Sequence, residues 1–144
     1  MKQPLLLTIV LTASVFLGRA AHAQEAVPLS DELFTWSWVM TDYAGRTDVE
    51  IVTPPTFYVF DRADGDVGGD TPCGDSWNAK IAIDLPKVAF SEVEAFYSDE
   101  CPASRNTIAI LEALEAVVAA RTSSEGLELI GQDGDRLILL NAGG

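Results

Sequence analysis

The chain has 144 residues, of which 22 are Asp or Glu and 9 are Lys or Arg, so its formal net charge at pH 7 is −13. Nucleic acid and anionic lipid are poor partners for such a chain, because both carry the same sign of charge and repel it over a screening length of about 8–10 Å. A basic protein or a cation suits the charge, and solubility alone also accounts for it.

The first 23 residues have the pattern of a secretory signal peptide. Lys2 gives a positive start, Leu5 to Leu17 form an apolar run without a charge, and Ala21-His22-Ala23 has the small-x-small pattern that signal peptidase recognises. The run is shorter than the roughly 20 residues that cross a bilayer, and no longer run follows, so we expect no integral membrane span. Cleavage before Gln24 predicts a periplasmic or secreted protein the size of one domain.

Cleavage also changes the chemistry available to the protein. His22 is the only histidine, so the mature chain has none. This excludes Ser-His and Cys-His nucleophilic catalysis and a histidine-ligated metal. Removing Lys2 and Arg19 with no acidic residue leaves 7 basic residues against 22 acidic ones, a net charge of −15.

Short segments with period-two alternation predict β-strands in the first part of the folded domain. We place this domain at residues 32–142, after a disordered lead-in at residues 24–31. The clearest strand is Leu33 to Met40, where Phe34, Trp36, Trp38 and Met40 share one face. Further candidates are Thr56 to Phe60 after Pro54-Pro55, Trp77 to Ile83, Val88 to Phe90, and Val93 to Tyr97.

An acidic, glycine-rich segment from Asp61 to Asp75 is predicted to be a solvated connection between strands. Its carboxylates could form a calcium-binding loop of the EF-hand type. An EF-hand loop that starts at Asp61 would place its bidentate acid at Pro72, and one that starts at Asp64 has Gly68 at its fifth position. Neither register fits, so we predict no metal site and no cofactor.

The two cysteines, Cys73 and Cys101, are expected to form an intramolecular disulfide, because an even number of cysteines in an exported domain is usually paired. Other uses of cysteine fit the sequence less well. The chain has no Cys-x-x-Cys redox motif, no second ligand pair for zinc, and no cysteine just after the cleavage site to carry a lipid.

The pattern changes after Cys101-Pro102. Apolar residues at helical spacing in an alanine-rich stretch predict one amphipathic helix from about Asn106 to Arg121. The C-terminal part predicts a β-hairpin with a two-residue turn at Asp133-Gly134. In that register Leu127 opposes Leu140 and Leu129 opposes Ile138, so these four side chains lie on one buried face.

Taken in order, these features resemble the META/HslJ-like domain family over Leu33 to Leu140. The features are an early tryptophan strand, a Pro-Thr-Phe-x-x-Phe-Asp strand, a glycine-rich loop ending in a cysteine, a second cysteine before one helix, and a closing Leu-x-Leu, Asp-Gly, Leu-x-Leu hairpin. The chain departs from the family at the first cysteine, where Pro72-Cys73-Gly74-Asp75 is followed by Ser76-Trp77, with one extra residue and no asparagine next to the cysteine. The matching positions are Trp36 or Trp38, Phe57, Phe60, Asp61, Cys73, Trp77, Asn78, Ala79, Cys101, Leu111, Leu114, Leu127, Leu129, Asp133 and Gly134.

The resemblance implies an α+β fold, in which a strongly curved antiparallel sheet or open barrel packs on the amphipathic helix. It also implies a small envelope or secreted protein linked to stress or antibiotic tolerance. A curved sheet with an aromatic inner face either holds an apolar ligand or uses those aromatics to fill its core. The aromatics concerned are Trp36, Trp38, Phe57, Phe60 and Trp77.

The sequence offers no pattern of catalytic residues. Ser76 and Lys80 fail as a dyad, because four residues of a strand span about 13 Å. The carboxylate pairs Glu92/Glu94 and Glu112/Glu115 lie where solvent exposure is expected, and nothing there suggests the raised pKa of a catalytic acid. We therefore expect a non-enzymatic exported domain that binds or supports an envelope component, through an unknown envelope protein or a small apolar ligand. The alternative is a secreted acidic inhibitor of a basic hydrolase such as lysozyme.

Overall fold

In the computed structural model, which describes residues 25–143, eight antiparallel strands follow one another around a closed barrel, and β8 pairs back with β1. A 3-10 helix, Asp31–Thr35, precedes β1, and α1, Ser104–Ala116, lies between β5 and β6. The strands are β1 Trp38–Tyr43, β2 Thr56–Asp61, β3 Asp66–Asp70, β4 Ser76–Asp84, β5 Lys87–Ala95, β6 Val117–Ser123, β7 Gly126–Gly131 and β8 Arg136–Ala142.

The predicted α+β architecture is confirmed, and the barrel is closed. The signal peptide and its cleavage site lie outside the described residues. Between residues 25 and 143, no helix has the length and apolar character needed to cross a membrane. Of the lead-in predicted at residues 24–31, residues 25–30 have no regular secondary structure and Asp31 begins the 3-10 helix.

Large aromatic side chains fill the barrel, because each strand turns one of its two faces inward. Phe57 of β2 lies at the centre: its ring stacks against Trp77 of β4 at a centroid distance of 6.1 Å and meets the edge of Phe90 of β5 at 6.0 Å. Aromatic pairs in these geometries add to the gain from apolar burial. Leu127, Leu129, Ile138 and Leu140 of the C-terminal hairpin complete the same core.

The helix covers a gap in the barrel wall. β5 and β6 are joined near one end, by the pair Lys87↔Ala119 and by a hydrogen bond of 2.9 Å from the Ala120 N–H to the Pro86 carbonyl. The rest of β5 faces α1, and Ile110, Ala113 and Leu114 of the helix belong to the barrel core. The amphipathic helix is thus part of the wall.

The predicted helix from Asn106 to Arg121 is wrong at its C-terminal end. α1 stops at Ala116, and the next seven residues are β6. The β-branched pair Val117-Val118 favours a strand, and pairing of β6 with β7 is needed to complete the barrel. Periodicity alone could not separate the two, because Val117 is buried in either conformation.

The N-terminal strand predicted from Leu33 to Met40 begins later than expected. Residues up to Thr35 form the 3-10 helix, and β1 begins at Trp38. Leu33 and Phe34 are still buried, as helical residues rather than as strand residues.

The segment from Asp61 to Asp75, predicted as a loop, contains β3. Its glycines are typical of a loop, but Gly69 is required by close packing: a Cβ there would lie 1.9 Å from the Thr56 carbonyl oxygen of β2. The two short strands predicted at residues 88–90 and 93–97 are one strand, β5, interrupted by a β-bulge.

The register predicted for the C-terminal hairpin is confirmed, with Leu127 opposite Leu140 and Leu129 opposite Ile138. The predicted turn is wrong. The Gly131 N–H bonds to the Asp135 carbonyl, so three residues form the loop, and only Gly134 has a positive φ, +81°. A register shift between Leu129 and Ile130 compensates for the extra loop residue.

The predicted disulfide is confirmed: Cys73 and Cys101 are bonded, with their Cα atoms 6.0 Å apart. The bond joins the connection between β3 and β4 to the segment that leads into α1. The Thr107 hydroxyl of α1 lies 3.7 Å from the Cys73 sulfur, beside the bond. The disulfide therefore anchors the start of the helix, which has no side-chain cap of its own.

The first prediction concerns the hairpin. Leu129→Ala should lower the free energy of unfolding by about 2–5 kcal/mol, because it leaves a cavity in the core. Gly134→Val should lower it by about 1–2 kcal/mol through backbone strain alone, because nothing lies within 4 Å of the added Cβ. Gln132→Ala is the control and should change it by less than about 0.5 kcal/mol. Denaturant melts measure all three, and a Leu129→Ala protein as stable as the parent would contradict the packing.

The second prediction concerns the disulfide. Replacing both Cys73 and Cys101 by Ser should lower the free energy of unfolding by about 2–4 kcal/mol, because the 28-residue separation leaves a long loop free in the unfolded chain. Reductant should lower the stability of the parent by a similar amount and leave the variant unchanged. Thiol titration of the native protein should find no free thiol, and two reactive thiols would contradict the bond.

Candidate ligand-binding cleft

The five aromatic residues that the sequence offers as ligand-facing or core residues separate into two groups. Trp38, Phe57 and Trp77 are buried in the barrel. Trp36 is 39% exposed at one end of the barrel, and Phe60 is 56% exposed on the outer face of β2. The structure therefore brings three of them together as core and leaves the other two at separate surface positions.

Trp36 stands at a cleft of about 400 Å³ in one end of the barrel. This end holds the start of β1, the end of β8 and the turn between β6 and β7, and the N-terminal segment runs beside it. The residues that line the cleft are Glu25, Val27, Leu33, Trp36, Trp38, Thr122, Ser123, Ser124, Glu125, Gly126, Leu127, Asn141 and Ala142.

The floor of the cleft is apolar and firmly held. Leu33 and Leu127 are almost fully buried. The Trp38 indole N–H donates a 2.8 Å hydrogen bond to the Leu33 carbonyl, which fixes the indole ring. Trp36 stacks on that ring, with centroids 5.5 Å apart and planes 25° from parallel. A fixed indole thus holds an exposed one in place.

The rim of the cleft is polar, and the side chains of Glu125 and Asn141 are bound there to neighbouring protein groups. Arg136 forms ion pairs with Glu125 at the rim and with Asp42 at 2.9 Å. Hydrogen bonds to Glu125, and then to Asp42, raise the pKa of Arg136 above its ordinary value. The Asn141 amide donates to the Thr41 hydroxyl. A ligand would therefore meet the Glu125 and Asn141 side chains in fixed positions.

Two segments that build the cleft were not recognised from the sequence. The first is the lead-in, where Val27 lines the cleft and Leu29 packs against the core. These apolar residues could have indicated that the lead-in packs on the domain. The second is the turn between β6 and β7. Gly126 has a φ of +149°, and a Cβ there would lie 2.2 Å from the Leu140 carbonyl oxygen, so glycine lets the turn approach β8.

The acidic segment forms a cluster elsewhere on the barrel. Carboxylate oxygens of Asp61, Asp64 and Asp66 lie within 4.8 Å of one another. The Lys80 ammonium is bound to Asp66, and Asp61 accepts a 3.0 Å hydrogen bond from the Asp64 N–H. The protein thus supplies its own cation here, and a metal ion would have to displace Lys80.

The cleft has the dimensions and surface of a small-molecule site. Such sites have volumes of about 300–1,000 Å³, a mainly apolar lining and a few polar groups at fixed positions. The stacked indoles and the two leucines offer the apolar surface, and the hydroxyls and the amide of the rim offer polar contacts. This arrangement can hold a flat or apolar group.

The chain matches no protein-family model and no curated protein. Two solved structures share its fold. An NMR structure of a protein from Burkholderia xenovorans aligns with a TM-score of 0.57 at 17% identity, over 78% of this chain and 84% of that one. A crystal structure of a DUF4847 family protein from Bacteroides vulgatus aligns with a TM-score of 0.53 at 14% identity, over 78% and 96%. At these identities the likeness shows the fold alone, and the resemblance to META/HslJ-like domains stays a prediction.

Proposed function

We propose that this protein is an exported, non-enzymatic domain that binds an apolar group of an envelope component in the cleft beside Trp36. The observation that carries the proposal is an exposed indole stacked on a fixed one, above an apolar floor, in a cleft of about 400 Å³. Covering apolar surface of this kind contributes roughly 25 cal/mol per Å².

Two features support an exported location. The first 23 residues have the pattern of a signal peptide, and the Cys73–Cys101 disulfide is a bond that persists in oxidising compartments. The resemblance to META/HslJ-like domains adds a link to stress or antibiotic tolerance in the envelope.

The electrostatics of the cleft narrow the class of ligand. Glu25 stands at the rim, Glu125 is paired there with Arg136, and the chain as a whole is strongly acidic. An anionic ligand such as a fatty acid would be repelled, so the proposal favours a neutral apolar molecule or an apolar side chain of an envelope protein.

The third prediction tests the cleft with N-phenyl-1-naphthylamine, a neutral apolar molecule whose fluorescence rises on binding. The parent should give a saturable rise, and Trp36→Ala should weaken binding about tenfold, which corresponds to about 1.4 kcal/mol. Phe60→Ala removes an exposed aromatic outside the cleft and is the matched control.

Unfolding measurements complete this test. Trp36→Ala should cost less than about 1 kcal/mol of stability, whereas Trp38→Ala should cost about 3–5 kcal/mol because it empties part of the core. Equal loss of probe binding in Trp36→Ala and Phe60→Ala, or no saturable binding by the parent, would refute the cleft as a ligand site.

The second candidate function is that of a secreted acidic inhibitor of a basic hydrolase such as lysozyme. Four of the basic side chains, Arg62, Lys80, Arg121 and Arg136, are already paired with carboxylates of the protein itself. Most of the 22 acidic residues therefore remain to set the surface charge. Such a charge steers a basic partner and speeds its association.

The fourth prediction concerns processing. Exported protein should begin at Gln24, with or without cyclisation of that residue, because Ala21-His22-Ala23 is the predicted cleavage pattern. The intact mass of material recovered from outside the cytoplasm measures this directly. A mass that retains residues 1–23 would refute the processing and would return His22 to the mature chain.

A further inference from the structure

A second concave surface lies on the outer face of the sheet formed by β2 to β5. We call it the outer trough: a shallow depression of about 610 Å³ lined by Phe60, Asp66, Asn78, Lys80, Glu92 and Glu94. It shares no lining residue with the cleft at Trp36. Its two sides differ in chemistry, one aromatic and the other acidic.

The aromatic side depends on a glycine. Phe60 and Tyr58 both point outward from β2, with ring centroids 5.5 Å apart, and they are 56% and 42% exposed. A Cβ on Gly68 of β3 would lie 3.0 Å from the Phe60 ring and 2.5 Å from the Trp77 carbonyl oxygen. Because Gly68 has no side chain, the Phe60 ring lies close against the sheet and its other side faces solvent.

The acidic side depends on the bulge in β5. Ser91 pairs with Lys80 and Glu94 pairs with Asn78, so one extra residue, Glu92, is inserted between the two pairs. Glu92 has a φ of +51°, a conformation that favours glycine. The bulge leaves Ser91 and Glu92 both exposed instead of alternating, and Glu92 therefore lines the trough beside Glu94.

The charge within the trough is negative. Lys80 is the one cation among the lining residues, and its ammonium is bound to Asp66. Glu92 and Glu94 make no hydrogen bond or ion pair with another side chain in the described part of the chain. Two unpaired carboxylates thus face an exposed aromatic ring across a depression.

We propose that the outer trough is the docking surface for an arginine-bearing segment of a basic partner protein. A guanidinium is attracted to the face of an aromatic ring and forms paired hydrogen bonds with carboxylates, and the trough offers both on opposite sides. The choice of a basic protein as partner rests on the second function proposed above, and the trough supplies its contact surface.

The fifth prediction uses a fluorescently labelled hexa-arginine peptide, titrated at low ionic strength and followed by anisotropy. Replacing Glu92 and Glu94 together by Gln should weaken binding about tenfold, and Phe60→Ser should weaken it about threefold. The charge control is Glu112→Gln with Glu115→Gln, on the exposed side of α1. The aromatic control is Phe96→Ser, which removes an exposed ring outside the trough. Both controls should bind within about twofold of the parent.

Several outcomes would overturn the proposal. Equal weakening by the two acidic double variants would mean that net charge alone attracts the peptide, and an unchanged affinity in Phe60→Ser would remove the aromatic side. Absence of binding by the parent would also overturn it. Melting curves of each variant exclude loss of folding as the cause.

Titration of the same variants against lysozyme separates the proposed inhibitor function from the proposal that the outer trough is its contact surface. Binding of lysozyme that the Glu92/Glu94 variant weakens no more than the α1 control would keep the inhibitor function and overturn the trough as its surface. Binding of hexa-arginine through the trough, without binding of lysozyme, would support the trough and overturn lysozyme as the partner.

Discussion

The pairing of β1 with β8 is the interaction on which the rest of the structure depends. It runs from Trp38↔Ala142 to Tyr43↔Ile138 and joins the beginning of the sheet to its end. Closure gives every strand of the barrel a pairing partner on both sides, so no strand is left as a free edge. It also encloses a fixed interior, which the aromatics of β1, β2, β4 and β5 fill.

Backbone pairing is short at two places around the barrel, and helices cover the core there. β1 and β2 pair at two positions, Trp38↔Phe57 and Val39↔Thr56, and β5 meets β6 near one end. The 3-10 helix lies against β2 and buries Leu33 and Phe34, while α1 lies against β5. Apolar helical side chains thus complete the core where backbone pairing is short. The same 3-10 helix contributes Leu33 to the floor of the cleft.

Two features follow from the sequence alone: the register of the C-terminal hairpin, which local alternation sets, and the disulfide, which the even number of cysteines indicates. The register of the last hairpin follows from its leucines, because a slip by one residue would turn all of them outward. The features missed depend on contacts between distant segments. Gly69 lies in a strand because β2 approaches it closely, and Val117 joins a strand because β7 is there to pair with it. The cleft forms where the lead-in and the turn at Gly126 come together. These segments are far apart in the chain, and no local pattern in either one predicts their contact.

Trp36 and Trp38 show how a surface site can be missed even when both of its aromatic residues are identified from the sequence. Two positions apart, they would share one face of a continuous strand, but β1 begins at Trp38, so Trp36 lies outside the strand and is exposed. The barrel holds Trp38 through burial and a hydrogen bond, whereas Trp36 adds little that the core requires. Phe57 and Phe60 lie on opposite faces of β2, so the ring of Phe57 fills the barrel and the ring of Phe60 faces solvent. Because the inner member of each pair is the buried one, we expect replacement of the outer member to leave the protein folded. The binding that we propose at each surface can therefore be tested by replacing Trp36 or Phe60, with the free energy of unfolding as a separate measurement.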